Sequence, residues 1–115
     1  MSAAPLQPPP FKEGCTTPAL RAGLKAARDD FFSAPGADPV GDAADAARDK
    51  NVQRAAVGTL YVAANSARSL APALDFFADL IPYVGEGLLT IQGVQAAHAF
   101  VGAYKASIDN CYKHK

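Results

Sequence analysis

This 115-residue chain predicts an all-α fold: a small three- to four-helix bundle or helical hairpin behind an extended, proline-rich N-terminal arm. Three observations carry that expectation. Apolar residues recur at helical spacings of three and four in each long segment. Four of the nine prolines, Pro35, Pro39, Pro72 and Pro82, and several glycines fall between those segments, where they punctuate. No stretch shows the two-residue alternation of a half-buried strand. The length suits one domain, with an arm over 1–16, a helical domain over 17–112 and a basic tail over 113–115.

The arm is set by Pro5, Pro8, Pro9 and Pro10, which favour polyproline II and oppose helix. With Phe11 they form an expected interaction strap lying on a partner, while the PxxP spacing of Pro5 and Pro8 also suits an SH3-type groove. A first helix is predicted from Pro18 to about Phe32, capped by Thr17, with proline at the favoured first position. Leu20, Leu24, Ala27 and Phe31 make its inner face, and Arg21, Lys25 and Arg28 lie off it. Ser33 to Gly36 stops it.

Asp38-Pro39 repeats the capping logic for a second helix, with Asp42 and Asp45 near its positive end and Asp49 further along. Asn51 marks either a break or a continuation. From Val52 the pattern strengthens. Val52, Ala56, Leu60, Ala63, Ala67 and Leu70 form one stripe, and Val57, Tyr61 and Ala64 a second beside it. Pro72 should end or bend this helix. A short helix follows around Ala73–Ile81, with Leu74, Phe77 and Leu80 or Ile81 inward and Asp75 and Asp79 on a wet face.

Pro82, Gly85 and Gly87 form a helix joint. The last helix is predicted from about Glu86 to Asn110. One track runs through Leu88, Ile91, Val94, Gln95, His98, Val101, Lys105 and Ile108. Another runs through Leu89, Gln92, Ala96, Ala99 or Phe100, and Ala103. On this reading Gln92, Gln95 and His98 are buried polar groups needing partners. Gly87 to Tyr104 is 18 residues without a formal charge, at the threshold for a membrane span. Those same three polar residues favour a helix buried in protein, with membrane contact as the other outcome.

Composition excludes some roles. Eleven basic residues balance eleven acidic ones, so a nucleic-acid binder that works by neutralising phosphates is not expected. No secretory h-region or Arg-rich presequence opens the chain, so an organellar protein would need internal targeting information, and a cytoplasmic setting is the other expectation. Cys15 and Cys111 show no CxxC or twin-cysteine spacing. If the first and last helices pack antiparallel, the two cysteines reach one end of the bundle and form a disulfide, which would imply an oxidising compartment. The alternative is two free thiols.

Catalytic, cofactor-binding and metal-ligating residues are all expected to be absent. His98 has no further ligand at three- or four-residue spacing along its helix. Asp29-Asp30 point in different directions on a helix. No GxSxG, SxxK, P-loop or dinucleotide fingerprint is present.

The segment Asp79-Leu-Ile-Pro-Tyr-Val-Gly-Glu-Gly87 resembles the D-x-I-P-x-V-G helix breaks that precede the toxin domain in some bacterial polymorphic toxins. The resemblance covers nine residues and implies a bend between hydrophobic helices that assists delivery or packing. Three roles are therefore expected. The first is a non-catalytic accessory subunit contacting other protein subunits, for instance in an organellar energy-transducing membrane complex. It rests on neutral charge, wide apolar faces and the arm. The second is a helical adaptor or delivery segment of a secretion or toxin system. The third is a carrier holding a small apolar ligand among Leu88, Ile91, Phe100 and Tyr104.

Overall fold

Helix α1 spans Glu13–Phe31 and packs most extensively on the last helix, Ile91–Lys113. The computed structural model describes residues 11–31, 45–65, 71–80 and 91–113. Among the described residues, three further helices are α2 (Lys50–Asn65), α3 (Ala71–Leu80) and α4 (Ile91–Lys113). No strand occurs among the described residues, so the fold is the expected small all-α bundle.

The inner face of α1 carries Leu20, Leu24 and Ala27, all buried, and Arg21, Lys25 and Arg28 are exposed, as their spacing predicts. Beside the leucines runs a row four residues apart, Cys15, Ala19, Gly23 and Ala27, made only of small side chains. That row lets α4 approach closely. A Cβ at Gly23 would stand 2.8 Å from the Phe100 carbonyl oxygen and 3.0 Å from its ring. Gly23 is therefore required by proximity to another backbone. The α1–α4 contact is the most extensive in the molecule. It runs antiparallel, because Cys15 meets Cys111 at one end while Gly23 meets Phe100 further along.

The buried face of α4 is Gly93, Ala96, Ala97, Phe100, Val101, Tyr104 and Ile108. Val101 and Ile108 of the first expected track and Ala96 and Phe100 of the second are buried as expected, and other members are corrected. Gln92, Gln95 and His98 are exposed, and Ile91 is 79 % exposed. The helix is turned so that small and aromatic residues point inward. In a helix with few charges, the glutamines and the histidine mark the wet side. Phe100 also meets Phe77 of α3, with ring centroids 5.2 Å apart and planes tilted by 39°. Alongside Phe77, α3 buries Ala73 and Leu80, leaves Leu74 half-buried, and exposes Asp75 and Asp79.

In α2 the fully buried Ala56 and Leu60 and the nearly buried Ala63 confirm the main stripe, on which Val52 is half-buried; of the second stripe Val57 is buried and Tyr61 and Ala64 are half-buried. The helix starts where the sequence left a choice. Ala47 to Asp49 is a turn. Asp49 caps α2, its carboxylate accepting from the Asn51 N–H at 2.8 Å and its carbonyl from Gln53 N–H at 3.0 Å. Helix α2 is described to Asn65, and residues 66–70 lie outside the described residues. Pro72 sits in the first turn of α3, where a missing N–H costs nothing.

The start of α1 also differs from expectation. It precedes Pro18 by five residues, so Glu13 to Thr16 are helical rather than part of an arm. Lys12 carbonyl accepts from the N–H groups of Cys15 and Thr16, each at 3.1 Å, and from Thr16 Oγ1 at 3.0 Å. The helix at the other end reaches Lys113, one residue into the expected tail. The expectations for Pro5, Pro8, Pro9, Pro10, Ser33 to Gly36, Asp38-Pro39, Asp42, Ala67, Leu70, Pro82, Gly85, Gly87, Leu88 and Leu89, and for the Phe31 side chain, lie outside the described residues.

Glycine substitutions report the packing directly. Gly23→Ala should destabilise the chain by about 1–3 kcal/mol, since backbone opposes the new methyl. Gly58→Ala and Gly102→Ala, where a Cβ meets nothing within 4 Å, should each stabilise it by about 0.5–1 kcal/mol. Urea unfolding of the three variants checks both signs.

Candidate functional site

The chemistry-bearing side chains gather at the end of the bundle where α1 begins and α4 finishes. Cys15 and Cys111 are joined by a disulfide, with Cα atoms 5.6 Å apart and 96 residues of separation. Cys15 is fully buried and Cys111 only partly. Around the bond, Lys12 Nζ lies 5.1 Å from the centre of the Tyr112 ring, a cation–π contact. Tyr112 also meets the Lys12 backbone and the Thr16 side chain. Phe11, the one strap residue described, is half-buried against the core, with the Arg54 guanidinium 5.5 Å above its ring.

Gln53 was not singled out in the sequence, where it reads as one more polar residue on α2. It is 1 % exposed. Its Nε2 donates to Thr17 Oγ1 at 2.6 Å, to Ala47 carbonyl at 3.2 Å and to Arg48 carbonyl at 3.3 Å. The two carbonyls fix which way the amide points, because only the nitrogen can donate to them. Gln53 thus ties α1 to α2 and closes the turn ahead of α2. Its Oε1 is buried without a hydrogen-bond partner.

Tyr104 has no exposed surface either, and its hydroxyl is buried without a hydrogen-bond partner. Burial, and then the neighbouring Tyr112, push its pKa well above the usual 10.0. Burial also raises Tyr112. Lys105 is raised as well, chiefly by its hydrogen bond to Asp109 at 2.5 Å.

An open hollow of about 320 Å³ lies between α2 and α3. Ala46, Val52, Ala55, Phe76 and Leu80 line it, with Asn51 and Asp79 as its polar members. It is not the ligand cavity expected from the sequence. Phe100 and Tyr104 are fully buried while Ile91 faces solvent, so these residues do not share one interior. Nor do Gln92, Gln95 and His98 enter any polar cluster in the core, since all three are exposed. Among the described residues there is no group of three or more His, Cys, Asp or Glu able to hold a metal ion. No described helix is long and apolar enough to cross a membrane.

Two measurements test this end of the molecule. Replacing both Cys15 and Cys111 by serine should lower unfolding free energy by about 4–5 kcal/mol in the chain-entropy picture, read by urea unfolding. Tyr104, Tyr112 and Lys105 all hold their protons more tightly folded than unfolded. Above pH about 10 the unfolded chain therefore carries fewer protons, and stability is lost as pH rises. Tyr104→Phe should weaken that alkaline loss and leave stability at pH 7 equal or up to about 1 kcal/mol higher, as urea unfolding at pH 7 and 10.5 will show.

The chain matches no protein-family model, no curated protein and no solved structure.

Proposed function

We propose that this chain is a non-catalytic accessory subunit of a larger protein assembly, docking through the α2–α3 side of the bundle. The observation that carries the proposal is the open, mostly apolar hollow lined by Val52, Ala55, Phe76 and Leu80. Apolar surface of this kind gains stability when a partner's side chains fill it. Asp79, at the same hollow, offers a carboxylate for a cationic group alongside those side chains. Zero net charge supports the reading, because it gives the free chain little protection against association. The disulfide supports an assembly in an oxidising compartment, where such bonds persist.

Native purification with cross-linking and mass spectrometry tests the proposal. A stoichiometric protein partner should co-purify and cross-link to α2 and α3. Ala55→Asp, at an exposed position of the hollow, should abolish that association, and Lys25→Glu on α1 should leave it intact. A chain that purifies as a lone monomer, or keeps its partner in the Ala55→Asp variant, would refute the assignment.

A further inference from the structure

We propose that the Cys15–Cys111 disulfide is a redox latch that selects between two starting points for α1. The latched start is the observed one, at Glu13. The alternative is the start that local sequence favours, at Pro18 with Thr17 as its cap. The proposal concerns the fold itself and does not depend on the partner of this chain.

The observed start is locally unfavourable. Pro18 lies inside α1, has no N–H to give to the Gly14 carbonyl, and sets its ring against that carbonyl. Gly14, one turn earlier, is a poor helix former with nothing packed around its Cα. Beyond the local bonds of Cys15 and Thr16 to the Lys12 carbonyl, what holds Glu13 to Thr17 in helix comes from outside the segment. Cys15 is covalently fixed to α4. Tyr112 meets Lys12 and Thr16, and Gln53 holds the Thr17 hydroxyl at 2.6 Å. While Thr17 accepts from Gln53 inside a helix, its extended capping conformation is unavailable.

A dithiol reductant opens the latch. Its thiolate attacks Sγ of Cys111, the partly exposed sulfur, and the fully buried Cys15 Sγ leaves with the bonding electron pair. The second thiol of the reductant then closes on the mixed disulfide and releases Cys111. Two electrons pass from the dithiol to the protein, each cysteine takes up a proton, and the reductant departs as a disulfide. The first turn then unwinds back to Pro18. Thr17 lets go of Gln53 and caps the shortened helix, and residues ahead of Cys15 lose their covalent tether to α4.

NMR of the full chain, oxidised and then reduced with dithiothreitol, tests the latch. Helical secondary shifts at Gly14 to Thr17 should be present when oxidised and lost when reduced. Those of Leu20 to Ala27 and Ala96 to Tyr104 should persist, and the Gln53 side-chain amide signals should move. Pro18→Ala repairs the internal break, so its reduced form should keep helical shifts at Gly14 to Thr17. If reduction unfolds the whole chain, the same experiment in the Gly58→Ala/Gly102→Ala background decides. The latch is refuted by a reduced chain that keeps its first turn. It is equally refuted by a Pro18→Ala chain that loses that turn, or by global unfolding in the stabilised background.

Discussion

The arrangement depends on one close approach, the Phe100 backbone and ring against Gly23. A side chain at position 23 would hold α4 away from α1 at its most intimate point. With none there, the two helices meet along small residues, Cys15, Ala19 and Ala27 on one side and Gly93, Ala96 and Ala97 on the other. Phe100 also packs its ring at a tilt against Phe77, a contact between α4 and α3. A core with few large side chains compensates through proximity, because dispersion contacts fall away steeply with distance.

The ends of the bundle obey a different logic. At the α1 start and the α4 finish, covalent and polar links replace apolar burial. The disulfide, the Lys12–Tyr112 cation–π contact and the Gln53–Thr17 hydrogen bond all draw the first turn of α1 into a structure its own residues would not choose. Tertiary links here outweigh a local proline preference of about 3 kcal/mol. That balance is what makes the first turn conditional on the state of the cysteines.

Among the described residues two buried side-chain oxygens, Gln53 Oε1 and Tyr104 Oη, stand without hydrogen-bond partners. Each costs stability, of the order of 1–3 kcal/mol for an unmade hydrogen bond. Gln53 offsets this through its three acceptors. Tyr104 has no such return except the volume of its ring in the α1–α4 interface, and volume is what an alanine-rich core lacks. The hollow between α2 and α3 leaves apolar surface of Val52, Ala55, Phe76 and Leu80 open to solvent.

Much of the architecture was legible in the residues. Helical periodicity gave the all-α class, the inner face of α1 through Leu20, Leu24 and Ala27, and the α2 stripe through Ala56, Leu60 and Ala63. The cysteine positions, given antiparallel outer helices, gave their pairing. The rotation of α4 was not legible. Alanine and glycine are weak hydrophobic signals, so Gly93 and Ala97 fell on neither track while Ile91 and Val94 looked buried. Only contact with α1, which needs small residues at close range, decided which face turned inward. The burial of Gln53 was hidden because its acceptors, Thr17, Ala47 and Arg48, converge only in three dimensions. The start of α1 was hidden because sequence reports local preference, and there a bond between residues 96 apart overrides it.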